Sequence, residues 1–254
     1  MKQRMRKKIE MGFILLQTLL YICFLTLDLT GKSVMISAHL KFTIIIICFC
    51  YALFFARGDD KGILLCMKAA LFFTVISDLF LLLLNHYLFG VLTFIIVQQL
   101  YGIRLIWVKR RLRIDKAVSK NIKGELMKDV VLRISVQGAV SSIIFLLLNS
   151  LGVVIDLIVV ASVFYFICIL TNTLSALLIT TNKKRRKRDL LFAIGMVLFL
   201  LCDINVGFFN LSSFIAVPDS LYQVLYPLSS ILMWTFYAPA QVLLSLSATK
   251  ISVT

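Results

Sequence analysis

Residues 62–84 read GILLCMKAALFFTVISDLFLLLL, 23 consecutive positions carrying only two charges, Lys68 and Asp78. As a helix rising about 1.5 Å per residue the stretch is roughly 35 Å long. Crossing a hydrocarbon core takes about 20 mostly apolar residues, so 62–84 reads as a membrane-spanning helix. Seven more stretches follow the same rule, at about 11–29, 34–56, 87–108, 130–149, 153–181, 189–210 and 220–248. None alternates apolar and polar positions, which excludes a β-barrel. The fold class expected is therefore all-α, a polytopic transmembrane bundle of eight helices forming one domain over 1–254.

Composition agrees. Of the 254 residues 61% are apolar and 15% charged, and the mean hydropathy is +0.99. Soluble domains hold about 45–50% apolar and about 25% charged residues, so soluble enzyme classes are excluded. Eleven glycines and three prolines also exclude collagen-like and disordered chains. MKQRMRKK before the first span imitates a signal peptide, but no small-residue cleavage site follows, so that span is expected to remain as a helix.

The net charge is +15, from 27 basic and 12 acidic residues. With the N-terminus inside, 22 of the 27 fall on cytoplasmic flanks: the N-terminal run, Arg57 and Lys61, the link 109–129, KKRRKR at 183–188, and Lys250. Only Lys32 falls in an outer loop. This positive-inside bias puts both termini in the cytoplasm. The link KRRLRIDKAVSKNIKGELMKD lies near anionic headgroups. It has no interleaved aromatics and is no nucleic-acid arm. The link also separates two groups of four spans, which suggests a parallel duplication. In both halves an aspartate is followed seven residues later by an asparagine, Asp78 by Asn85 and Asp203 by Asn210.

An ionisable side chain inside a bilayer costs about 2.5–3.5 kcal/mol on insertion scales, and it marks function by default. Asp78, Asp203 and Lys41 all fall six or seven residues from the outer ends of their spans, about 9–11 Å below that boundary. One reading is a structural ion pair between Lys41 and one aspartate. The other is a polar site. Two carboxylates in one low-dielectric pocket cannot both ionise easily, and a pair sharing a proton suits acid–base catalysis or proton transport.

Further polar groups share helical faces with this region: Gly90, Phe94, Gln98 and Tyr101 on the fourth span, and Tyr237, Gln241 and Ser245 on the eighth, which Pro239 is expected to kink. Lys68, Arg104 and Arg133 fall toward the inner ends and are expected to snorkel to water. Asp28 and Asp156 sit near the outer boundary, where little follows from them. The six cysteines and two histidines have no ligand spacing. Neither a metal nor a cofactor is expected.

In order along the chain, these residues resemble the YhhN-type lysoplasmalogenases, eight-helix membrane proteins. HLKF around Lys41 is similar to that family's Lys-Pro, with Phe42 for proline. VISDLFLL around Asp78 resembles its Gly-Asp-x-x-Leu, with Ser77 for glycine. Gly90, Phe94 and Tyr101 fit G-x-x-x-F-x-x-x-H-x-x-Y, and Gln98 stands where histidine is usual. Gly195, Phe199 and Asp203 fit G-x-x-x-F-x-x-S-D, with Cys202 for serine. YAPAQVLLSLS, with Tyr237 and Gln241, resembles the C-terminal Tyr…Gln…Ser ending.

The resemblance implies hydrolysis of the vinyl-ether bond of a lysoplasmalogen or related lysolipid, with a lysophospholipid as substrate and a fatty aldehyde as product. Asp78 and Asp203 would be the catalytic acid and base. Lys41, Gln98, Tyr101, Tyr237 and Gln241 would bind substrate and water. The alternatives from other classes are a proton-coupled transporter using the same Asp/Lys cluster, whose mark would be Gly/Pro breaks at matching places in both halves, and a non-catalytic lipid-binding protein. A short chain without a targeting segment is expected in the plasma membrane. The sequence does not set the oligomeric state.

Overall fold

The computed structural model describes residues 2–57, 60–113, 122–150, 152, 155–213 and 217–249. Eight helices follow one another: α1 Lys2–Thr30, α2 Val34–Phe55, α3 Lys61–Asp78, α4 Tyr87–Arg113, α5 Ile122–Ser150, α6 Leu157–Thr180, α7 Lys187–Phe209 and α8 Asp219–Ser247. A π-helical segment, Leu79–Leu83, continues α3, and a 3-10 turn, Leu211–Ser213, follows α7. All eight helices are long and apolar enough to cross a bilayer, and no strand occurs among the described residues. The chain is an integral, multi-pass, all-α membrane protein.

Local chemistry sets the helix ends. The Asp60 carboxylate accepts the N–H groups of Gly62 and Ile63 at the start of α3, and Asp156 accepts Val159 N–H at 2.9 Å at the start of α6. Asn85 adopts φ 54°, a left-handed turn that Asn tolerates, and reverses the chain between the π segment and α4. Asn210 ends α7, its amide donating to Val206 O. The two asparagines that matched in the sequence are both helix terminators.

The ends differ from expectation where charge continues a helix. Helix α1 starts at Lys2 instead of 11, and α5 at Ile122 instead of 130. Much of the basic link is therefore helical: α4 runs on through Arg113 and α5 takes up the far end. Lysine and arginine are good helix formers in water, so hydropathy ends before the helix does. Residues 114–121 of the link and Lys250 lie outside the described residues.

The packing has a simple order. The adjacent helices α1–α2, α2–α3, α3–α4, α5–α6, α6–α7 and α7–α8 pack together, as do α2–α8, α4–α6, α1–α8 and α4–α5. Exchanging the two halves maps each of these pairs onto another in the set. That is the adjacency a four-helix repeat with its axis along the membrane normal produces. Small residues allow the closest approaches: a Cβ at Gly195 would lie 3.0 Å from the Leu244 side chain and 3.2 Å from Ala240 O, pinning α7 to α8. Helix α4 is the most buried, while α1 and α5 expose most of their apolar side chains. In lipid that exposure carries no hydrophobic cost.

Candidate functional site

Asp78 is the last residue of α3 proper, and the π segment begins directly after it. Leu84 N–H bonds to Leu79 O, five residues back, at 3.1 Å. A π segment carries one more residue per turn and is common at functional sites. It also turns Leu81 onto α4, where Gly90 leaves room that a Cβ would fill. Ser77 donates to Gly90 O at 2.6 Å across the same seam. The third span, read from sequence as one continuous α-helix, is therefore interrupted in this way; α7 is continuous through Asp203 to Phe209.

Both aspartates are held by a tyrosine. The Tyr237 hydroxyl on α8 donates to Asp78 Oδ2 at 2.6 Å, and the Tyr165 hydroxyl on α6 donates to Asp203 Oδ2 at 2.7 Å. The Phe94 ring on α4 lies between the two phenols, 5.8 Å from the Tyr165 ring and 6.4 Å from the Tyr237 ring. Phe199 closes the group, 5.7 Å from Phe94 and 5.4 Å from Tyr237. The Asp78 carboxylate is within electrostatic reach of Asp203. Asp78 is buried; Asp203 keeps partial exposure. The result is an aromatic-walled pair of carboxylates between α3, α4, α6, α7 and α8.

Gln98 joins this group. Asn172 Nδ2 on α6 donates to both Gln98 Oε1 and Gln98 O at 2.8 Å, and the Gln98 amide sits beside the Tyr165 hydroxyl. Asn172 Oδ1 in turn accepts Arg133 Nη2 of α5 at 2.6 Å. Polar contacts thus run from Arg133 through Asn172, Gln98 and Tyr165 to Asp203. Sequence reasoning missed Tyr165 and Asn172. Their only signal was being polar residues in an apolar span, a weak one, since amides and hydroxyls commonly do no more than join helices.

Other expected site residues stand further off. Lys41 does not ion-pair with either intramembrane aspartate: its Nζ lies 2.8 Å from Asp28 Oδ2 on α1. Ser37 also donates to Asp28. Asp28, set aside from the sequence, is the partner because α1 packs on α2. The Lys41 ammonium also lies 4.9 Å from the Trp234 ring, and Trp234 meets Tyr237 edge-on at 5.2 Å. Lys41 is thus connected to the Asp78 side through an aromatic pair. Tyr101 faces inward, its ring 5.4 Å from Phe192 and its hydroxyl beside Thr74. Gln241, one turn beyond Tyr237, is fully buried, and neither amide atom is hydrogen-bonded among the described residues. Pro239 leaves the carbonyl of Thr235 without its helical donor, and the Tyr21 hydroxyl approaches that oxygen at 3.4 Å.

Arg104 and Arg133 do not snorkel. The Arg104 guanidinium lies 3.6 Å over the Phe192 ring and 3.7 Å from Asp189, with 1% exposure. Arg111 binds the other Asp189 oxygen at 2.6 Å. An acidic partner on a packed neighbour outweighs the reach to water. Among the described residues no group of three or more His, Cys, Asp or Glu side chains could hold a metal ion. Compared with known protein families, curated proteins and solved structures, the chain matches none.

Proposed function

We propose that the protein is a membrane hydrolase that cleaves the vinyl-ether bond of a lysoplasmalogen or related lysophospholipid. The observation that carries this reading is the pair of tyrosine-bound carboxylates, Asp78 and Asp203, whose two tyrosines both pack against Phe94. Vinyl-ether hydrolysis starts with a proton delivered to the carbon β to the ether oxygen. The π electrons form the new C–H bond, and an oxocarbenium ion remains. One carboxyl group supplies the proton, and the other, as carboxylate, stabilises the cation and takes a proton from the attacking water. The hemiacetal then collapses to a fatty aldehyde and a glycerophospho-alcohol, so that one water is consumed per bond broken.

Around that pair, Tyr165 and Tyr237 orient the carboxylates, and Gln98 positions Tyr165. The apolar walls suit an alkenyl chain. Lys41, near the outer end of α2 with its charge shared by Asp28, receives the headgroup phosphate, while Tyr101 and Gln241 order the inner wall. The cell membrane is the setting we infer. A proton-coupled carrier would break corresponding helices in both halves; the unbroken α7 opposite the π segment of α3 speaks against it.

The test is fatty-aldehyde release from lysoplasmalogen by the purified protein in detergent, compared with the ester-linked lysolipid of the same headgroup. Release from the vinyl ether alone is expected. Equal cleavage of both would replace the vinyl-ether mechanism with an esterase.

A further inference from the structure

Gln241 on α8 is fully buried, and neither its amide nitrogen nor its amide oxygen is hydrogen-bonded among the described residues. Leaving a buried donor and acceptor unmatched costs free energy, and buried waters commonly satisfy such groups. Gln241 is also one rung of a ladder. Tyr237, Gln241, Ser245 and Thr249 recur every four residues, and none is more than 4% exposed. At about 1.5 Å per residue the ladder covers about 18 Å along α8 and its last turn. It starts at the hydroxyl that holds Asp78 and runs toward the end that carries the N-terminal basic run.

Helices α1 and α2 face the ladder with polar groups of their own. Ser245 lies beside Cys48 Sγ on α2, which accepts from Gln17 Nε2 on α1 at 3.5 Å. Gln17 Oε1 is buried and also unbonded among the described residues. Nearer the basic end, Thr249 Oγ1 donates to Glu10 Oε1 at 3.4 Å, and the Tyr51 hydroxyl stands beside Thr249. Glu10 is partly exposed, so the line ends at a carboxylate in contact with the surface. Each step of the ladder is about 6 Å, the span of one water making two hydrogen bonds of about 2.8 Å each.

Asp78 needs such a line more than Asp203 does. Asp203 is partly exposed, while Asp78 is buried beneath Tyr237. A purely structural ladder would explain Ser245 and Thr249, whose hydroxyls bond back to carbonyls of their own segment. It does not explain Gln241, whose amide has no such bond among the described residues.

We propose that waters seated on Gln241 complete a proton path along α8 between Asp78 and Glu10. A proton entering at the Glu10 carboxyl passes by way of Thr249, Ser245 and the Gln241 waters to the Tyr237 hydroxyl. Each hydroxyl or water takes one proton on one side and gives one on the other. Tyr237 therefore ends as it began, and the Asp78 carboxylate ends as the acid. The Gln241 amide carries no proton itself and is a positioning residue for the waters. Vinyl-ether cleavage takes a proton from one carboxyl group and returns one to the other, so a path to one of them resets the pair. That use rests on the hydrolase reading; the path itself does not.

The experiment follows hydrogen–deuterium exchange of the carboxylic C=O bands by infrared spectroscopy. The full chain in detergent is acidified until those bands are present and then transferred to heavy water. Each band is assigned by its loss in Asp78→Asn or Asp203→Asn. In Gln241→Leu the Asp78 band should exchange about tenfold more slowly, because its waters lose their seat, and the Asp203 band should keep its rate. Gln241→Asn, which retains the amide, should recover most of the Asp78 rate. If Gln241→Leu does not fold, Ser245→Ala decides, since it removes only a hydroxyl, and a slower Asp78 band is expected there too. An unchanged Asp78 rate in the folded variant, or equal slowing of Asp78 and Asp203, would overturn the path. Aldehyde release plays no part in the readout, so a failure of the hydrolase reading would leave this result standing.

Discussion

The two halves of the molecule each carry an aspartate late in their third helix and then treat it differently. Asp78 in the first half is buried, followed at once by a π segment, and held by a tyrosine from the second half. Asp203 in the second half lies in an unbroken helix, stays partly exposed, and is held by Tyr165 of the adjacent helix in its own half. The helix adjacencies survive exchange of the halves, and the hydrogen bonds do not. A scaffold whose helix adjacencies repeat between its halves can thus set the position of two like groups, while their surroundings differ through unlike neighbours. Both carboxylates should therefore be needed, while the tyrosines that hold them should not respond alike to mutation.

The sharpest way to break the comparison is to remove each carboxylate. Asp78→Asn and Asp203→Asn should each lower aldehyde release by about 10²–10⁴-fold, the usual range for a positioned acid or base. Aldehyde assays on the folded variants check this. An effect confined to one aspartate would end the shared-site account and leave a single functional carboxylate.

Next in size are the tyrosines. Tyr237→Phe and Tyr165→Phe each remove one hydroxyl donor to a carboxylate, worth about 1.5–3 kcal/mol. Tyr237→Phe also cuts a link between the halves, so it should lower the thermal unfolding midpoint more than Tyr165→Phe does. Tyr165→Phe should instead act mainly on turnover, since it detaches Gln98 from Asp203. Asn172→Ala, one step further along the same line of contacts, should reduce turnover by less, on the order of threefold (about 0.6 kcal/mol). The smallest effect belongs to the edge: Asp28→Asn should change stability by about 1 kcal/mol or less, as for partly screened ion pairs. On the hydrolase reading it should also lower KM by freeing Lys41 for a phosphate.

The eight helices could be read from the sequence because each span is a run of some twenty apolar residues, and lipid permits few other structures to cross it. Asp78 and Asp203 stood out because an ionisable group in such a run is expensive. Contacts across helices were not readable. Lys41 was within one span's reach of several acids, and only the packing of α1 on α2 selects Asp28. Arg104 carried the pattern of a snorkelling residue until α7 brought Asp189 and Phe192 against it. Tyr165 and Asn172 had no signal of their own, because their importance lies in what they touch. The π segment after Asp78 was hidden for a similar reason. Four of the five residues from Leu79 to Leu83 are leucine, a good α-helix former, and the deviation goes with the fit of Leu81 against Gly90.

The central claim, that Asp78 and Asp203 act together on a vinyl ether, is tested most directly by single-turnover aldehyde release. The purified protein, Asp78→Asn and Asp203→Asn would each be given lysoplasmalogen in excess detergent. The account predicts stoichiometric aldehyde from the unaltered protein and almost none from either variant. Unchanged release from both variants, or no aldehyde from the unaltered protein, would contradict it.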